Sequence, residues 1–301
     1  MISRQWNMRR SWTIVMLGAL LYGAIESRSA TAMDIQRVVS PGGIVAWLVQ
    51  DSSVPVISMS FAFEGGASLD PVGKEGRADM VSGLLDEGAG DLTSQAFQAQ
   101  LEDIAARLRF SASTDRIRGT LRTLSVNRDK AFDLLALALT RPRFDERPVE
   151  RIRAQMVAGL KSALQDPDTI ATRAWYKAVF PSHPYGRPNG GTIDSVKAIT
   201  IDDLKEFTNR NLARKTLKVG VAGDITPTEL ARRLDQIFGA LPATTASSPV
   251  ADVTPGAVGR QIIIERNVPQ SVVMFGHSGI KRDDPDWYTA MVMMCILGGG
   301  G

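Results

Sequence analysis

Apolar and polar residues alternate through "VISMSFAFE", with Ile57, Met59, Phe61 and Phe63 on one side and Ser58, Ser60 and Ala62 on the other. A period of two predicts a half-buried strand. "VAWLVQ", which follows the turn signal "SPGG", predicts another, and so does "TLKVGVAGD". Two runs that interleave arginine with apolar residues, "RLRFSAS" and "RIRGTLRTL", meet across Thr114-Asp115 and predict a hairpin. In its second strand Arg116, Arg118 and Arg122 share one face, as expected of a solvated sheet surface.

Elsewhere the helical period takes over. Phe97, Leu101, Ile104 and Leu108 make the apolar stripe of a helix from about Ser94 to Arg107, capped by Thr93 or Ser94. "RDKAFDLLALALTR" stops before Pro142, "PVERIRAQMVAGLKSALQD" before Pro167 and "TIATRAWYKAVF" before Pro181. Thr200 with Asp203 predicts a capping box for "IDDLKEFTNRNL". Thr226-Pro227-Thr228-Glu229 supplies an N-cap, a proline at the first helical position and a capping acid for a helix to about Phe238. Hairpins beside helical runs predict an α+β fold, an antiparallel sheet with helices packed on one face.

Composition changes this picture at the two ends. Arg4, Arg9 and Arg10 precede the apolar run Trp12 to Ile25, and Ala30-Thr31-Ala32 has the form of a cleavage site. Residues 1–32 therefore read as a signal peptide, which predicts a periplasmic or otherwise exported protein with no stable membrane span after cleavage. That leader holds four basic residues and one acidic, so it carries the whole formal charge of +3. The remainder is balanced, which argues against nucleic acid as a partner. Residues 33–240 read as an N-terminal domain, and residues 241–259, "LPATTASSPVADVTPGAVG", as a linker. Residues 260–301 read as the truncated start of a second, similar domain, with strands at "RQIIIER" and "SVVMFGHSG" and a helix at "DPDWYTAMVMMCIL". Cys295, the one cysteine among 301 residues, excludes an intrachain disulfide and is expected to be a small buried hydrophobe.

The candidate chemistry centres on "GKEGRADMVSGLLDEGAG", which has the frame of a helix suited to metal ligands yet contains no histidine. Catalytic zinc needs three protein ligands and an open position. The chain has two histidines, His183 in a turn-rich loop between prolines and His277 at the end of an apolar run. Both read as structural. Ser82 falls on a helix and not on a nucleophile elbow. Asp86, Glu87 and Asp91 lack calcium-loop spacing, and Gly298 to Gly301 lack the lysine of a phosphate loop.

Four segments in order, "FEGGASLDPVGKEGRADMV", "DPDTIATRAWYKAVFPSHPYGRPNGGTIDSVKAITIDDLKEFTNRNL", "VGVAGDITPTEL" and "DDPDWYTAMVMMCILGGGG", resemble the pitrilysin/insulinase family of zinc metallopeptidases, including the mitochondrial processing peptidase. The resemblance implies repeated α+β domains, two of which close around an extended peptide. It also implies a zinc site built from an H-x-x-E-H helix and a later glutamate. Anchored on Gly73-Lys74-Glu75-Gly76, the two histidines fall on Asp79 and Gly83 and the glutamate general base on Ser82. Anchored on Asp166-Pro167, the later glutamate falls at Ala158-Gly159. All four positions are changed, so no catalytic, cofactor-binding or metal residue is expected on this chain.

The resemblance then implies a non-catalytic subunit that pairs with an H-x-x-E-H homologue carrying the zinc and encloses peptide substrates with it. Any Arg/Tyr substrate-binding pair of the family would lie after Gly301. Gly298, Gly299, Gly300 and Gly301 coincide with a glycine-rich segment that the family uses near substrate, a candidate contact. Two alternatives stand beside this reading. One is a solitary periplasmic peptide-binding or scaffold protein, the other an autonomous zinc metalloendopeptidase with unconventional ligands.

Overall fold

A computed structural model describes residues 34–248, 250–257 and 259–298. The expected signal peptide and Gly299, Gly300 and Gly301 lie outside the described residues. The strands are β1 (Gln36–Val39), β2 (Val45–Gln50), β3 (Val56–Glu64), β4 (Gly88–Ala89), β5 (Leu92–Thr93), β6 (Arg107–Ala112), β7 (Arg116–Leu124) and β8 (Lys218–Gly223). The helices are α1 (Arg77–Ser82), α2 (Ser94–Asp103), α3 (Arg128–Thr140), α4 (Glu146–Ala163), α5 (Pro167–Val179), α6 (Ile193–Ala198), α7 (Ile201–Asn211), α8 (Pro227–Phe238) and α9 (Trp287–Ile296).

Six strands form one sheet in the order β1-β2-β8-β3-β7-β6, and β4 pairs with β5 in a separate ribbon. Every pair in the large sheet is antiparallel except β2 with β8, which run parallel, so the sheet is mixed and not purely antiparallel. β8 returns from far along the chain and wedges between β2 and β3. Its Val219 and Val221 point into the core, and the small Gly220 and Ala222 face the other way.

The alternation read from sequence sets the two faces. Ile57, Met59, Phe61 and Phe63 are at most 3% exposed, while Ser58 and Ser60 face solvent. Helices α2, α3 and α8 cover the apolar side. Phe61 meets Phe63, Phe110 and Phe238 edge-on, with centroids 6.1, 6.1 and 5.4 Å away, a favoured geometry for aromatic rings. Its cross-strand partner on β7 is Gly119, where a Cβ would stand 2.1 Å from the Phe61 ring. Glycine is required there by packing.

Three helix starts follow the expected caps: the side chains of Thr93, Thr200 and Thr226 accept hydrogen bonds from the Ala96, Asp203 and Glu229 backbone N–H groups, and the Thr200–Asp203 box closes. Asp166, of which no cap was expected, accepts the Thr169 N–H and starts α5 at Pro167, ahead of the expected Thr169. Glu229 departs from its expected capping role. Its carboxylate instead meets Arg128 at 2.5 Å and ties α8 to the start of α3. α2 ends at Asp103, short of the expected Arg107, because Ala105 adopts φ 50° and turns the chain into β6. Ile104 and Leu108 remain buried beyond the helix.

The described residues from Ile35 onward group as one unit. Within residues 260–298 the structure differs from the sequence reading. The helix is present as α9, but neither "RQIIIER" nor "SVVMFGHSG" is a strand. A strand exists only through hydrogen bonds to a neighbour, and these segments pair with no described strand. Cys295 is exposed on α9, contrary to the burial expected of it, because the apolar side chains of that helix are not packed into the core.

Candidate functional site

The helix that carries the question is short. α1 runs from Arg77 to Ser82, and Gly83 closes it by donating its N–H to the Asp79 carbonyl at 3.0 Å. Turns, not helix, carry the chain on through Leu84 to Glu87. Gly76 opens the helix at φ 94°, and a Cβ there would meet the Gly190 carbonyl at 2.8 Å. The cap comes from outside: the N–H groups of Gly76 and Ala78 donate to the Asp70 carboxylate at 3.0 and 3.1 Å.

Charges are buried at this helix start. Asp70 and Arg77 are 2% and 6% exposed, with Arg77 Nε 3.6 Å from Asp70 Oδ1. Arg77 also donates to the Leu69 carbonyl at 3.2 Å, and its guanidinium lies 5.2 Å from the centre of the Phe207 ring. Burial pushes the Asp70 carboxyl up to about 7, against the pull of Arg77 and the two N–H donors. Arg187 donates to the Asp70 carbonyl at 2.8 Å, and Ser195 Oγ donates to the Glu75 carbonyl at 2.8 Å. Lys74 reaches Asp203 at 2.7 Å. The "HPYGRPNGGT" segment and α7 thus lock the base of α1. Sequence reasoning passed over this Asp70–Arg77 pair. Its only signal is an arginine heading a helix whose other residues read as core.

The four positions singled out by sequence do not assemble a donor set. Asp79 is exposed and its carboxylate has no hydrogen-bond or ion-pair partner among the described residues, yet the protein around it displaces water and raises its pKa. An ideal Cβ on Gly190 would lie 3.8 Å from Asp79 Oδ2. Ser82 is 4% exposed and donates its hydroxyl to the Asp79 carbonyl at 2.8 Å, so its proton is already committed. A Cβ on Gly83 would make an ordinary contact, 3.5 Å from Ile152 of α4. One on Gly159, also in α4, would meet nothing within 4 Å.

Zinc does not fit these residues. One unsupported carboxylate, an engaged hydroxyl and two glycines cannot supply three ligands and a base. Among the described residues no group of three or more His, Cys, Asp or Glu could hold a metal ion. His183 serves structure, accepting the Tyr185 N–H at 3.3 Å on Nδ1 while Nε2 lies 2.9 Å from the Ala251 carbonyl. His277 is exposed, far along the chain in the segment without strands. In the acidic group, Glu87 is held by Arg151 at 2.6 Å and Ser94 at 2.5 Å. Burial, with Glu87 beside it, lifts Asp86 to about 6.

The large sheet thus carries helices on one face and has α1 beside its edge strand β6. Residues 46–193 match the family model "Insulinase (Peptidase family M16)", and residues 198–301 match "Peptidase M16 inactive domain". The chain belongs to peptidase family M16. It is 27% identical over 282 residues to "Non-peptidase homolog YmxG" of Helicobacter pylori, covering 93% of this chain and 65% of that protein. It is 23% identical over 278 residues to "Probable mitochondrial-processing peptidase subunit beta, mitochondrial" of Arabidopsis thaliana, covering 91% of this chain and 52% of that one. The crystal structure of a peptidase M16 inactive domain from Pseudomonas fluorescens superposes with a TM-score of 0.76 at 25% identity, covering 89% of this chain and 65% of that one. The chain therefore spans between half and two-thirds of the length of these relatives.

Proposed function

We propose that this chain is an exported, non-catalytic M16 subunit that pairs with an H-x-x-E-H homologue and supplies part of the wall around a peptide substrate. The observation that carries the proposal is the state of α1. Its packing is intact, with Ala78, Met80 and Val81 fully buried, while Asp79, Ser82, Gly83 and Gly159 hold none of the required ligands. Likeness to a relative described as a non-peptidase homologue supports the loss of chemistry. Likeness to a protein described as a peptidase subunit supports pairing.

A peptide-binding role has a physical basis in β6. It stands at the edge of the sheet, paired on one side with β7, and lies beside α1. An edge strand presents backbone donors and acceptors to which an extended peptide can add as another strand. Zinc, on this reading, sits on the partner. The test is to purify the chain alone and together with a zinc-bearing homologue, and to follow cleavage of a peptide mixture with and without chelator. The proposal expects chelator-sensitive cleavage only when the homologue is present. Chelator-sensitive cleavage by this chain alone would overturn it.

A further inference from the structure

Residues 241–259 have the Pro-, Ser- and Thr-rich composition of a free connector, yet hydrogen bonds tie them down. From Pro242 to Ser247 the chain lies against the end of α7 and the short 3-10 turn Arg214–Thr216 that follows it. A helix leaves its last carbonyls and its first N–H groups without partners of their own. Here the connector supplies them. The Ala246 N–H and the Thr245 hydroxyl donate to the Arg210 carbonyl, in the last turn of α7, at 3.1 and 2.9 Å. The Arg214 and Lys215 N–H groups, which open the 3-10 turn, donate to the Pro242 and Ala243 carbonyls at 2.9 and 3.0 Å. Between the two helix ends, Ser247 Oγ donates to Asn211 Oδ1 at 2.6 Å. Asn211 is 2% exposed, so its side-chain carbonyl has little water to turn to. Thr245 Oγ1 also accepts the Ser247 N–H at 3.1 Å, which stiffens the connector itself.

Pro249 lies outside the described residues, and two further ties stand beyond it. The Gly256 N–H donates at 2.9 Å to the carbonyl of Val179, the last residue of α5. His183 makes the other. Its Nδ1 accepts the Tyr185 N–H, so the ring proton sits on Nε2 and is donated to the Ala251 carbonyl 2.9 Å away. The Tyr185 ring stands edge-on to the imidazole at 4.6 Å and holds it in that orientation. Both partners of every one of these bonds lie between Val179 and Gly256.

We infer that residues 242–247 and 251–256 form a fixed strap that caps three helix ends and sets the course of the chain after α8, so that no hinge bends there. The inference does not depend on pairing with a zinc-bearing homologue or on the loss of catalysis. Hydrogen exchange of the purified chain, read amide by amide by mass spectrometry with electron-transfer fragmentation, tests it. The Lys215, Ala246 and Gly256 amides should exchange at least about tenfold more slowly than in synthetic peptides of the same sequence. The double variant Thr245→Val/Ser247→Ala removes three hydrogen bonds from the first part of the strap. It should speed exchange at Lys215 and Ala246 by about tenfold or more and leave Gly256 unchanged. His183→Ala should do the reverse, speeding Gly256 alone. Amides of β7 should keep their rates in both variants, which separates a loosened strap from a loosened fold. Exchange at peptide rates in the unsubstituted chain, or unchanged rates in both variants, would overturn the inference.

Discussion

Gly159 stands inside an 18-residue helix, exposed, at the position where the family resemblance expects a glutamate ligand. If the position has lost its ligand and gained no new duty, the glycine is a defect that the fold tolerates. A Cβ there meets nothing within 4 Å, and Gly159 is not among the glycines with positive φ. Gly159→Ala therefore adds no clash and removes backbone freedom from the unfolded chain. The expected gain is about 0.5–1 kcal/mol. For a domain of this size that raises the melting temperature by roughly 1–4 °C. Urea denaturation at pH 7, followed by far-ultraviolet circular dichroism, measures the gain as a shift in midpoint at unchanged slope. A loss of stability would refute the reasoning, because it would show that the glycine is needed where the structure shows open space. Unchanged stability with loss of binding to a zinc-bearing homologue would show that another chain closes on this spot.

The neighbouring side chains separate packing from chemistry. Met80 is fully buried, so Met80→Ala should cost about 2–5 kcal/mol, whereas Asp79→Asn should change stability by less than about 0.5 kcal/mol; thermal melts of both variants decide, and a large loss at Asp79 would sink the distinction. Gly119→Ala drives a methyl group into the Phe61 ring and should cost about 1–3 kcal/mol, read from the urea midpoint; a neutral result would contradict the packing described. Asp86 titrates near 6 in the folded chain, above its ordinary value of 3.8. Its ionised form is penalised by folding, so its contribution is full below about pH 4 and is lost as pH rises through 6. Asp86→Asn should accordingly flatten the fall in stability between about pH 4 and pH 6, and an unchanged profile would place the cause elsewhere.

The large-scale plan was legible wherever one side of an element is buried. The alternation of residues 56–64 and the caps at Thr93, Thr200 and Thr226 are local signals, and each led to the element observed. The insertion of β8 between β2 and β3 was not legible, because strand order depends on contacts across most of the chain and leaves no local mark. Nor was the brevity of α1, where apolar periodicity continues through Leu84 and Leu85 although Gly83 ends the helix. "RQIIIER" and "SVVMFGHSG" have strand composition without a described neighbour to pair with, and composition cannot supply the partner. At the site, the side chains present at Asp79, Ser82, Gly83 and Gly159 were legible from the sequence alone. The buried Asp70–Arg77 pair that holds α1 in place was not, since burial of a charged pair is decided by tertiary packing.

Metal content bears most directly on the central claim that α1 is kept for packing and has shed its chemistry. Elemental analysis of the purified chain after dialysis against buffer with zinc should show far less than one equivalent bound. A full equivalent, retained through dialysis and lost on Asp79→Ala, would contradict it.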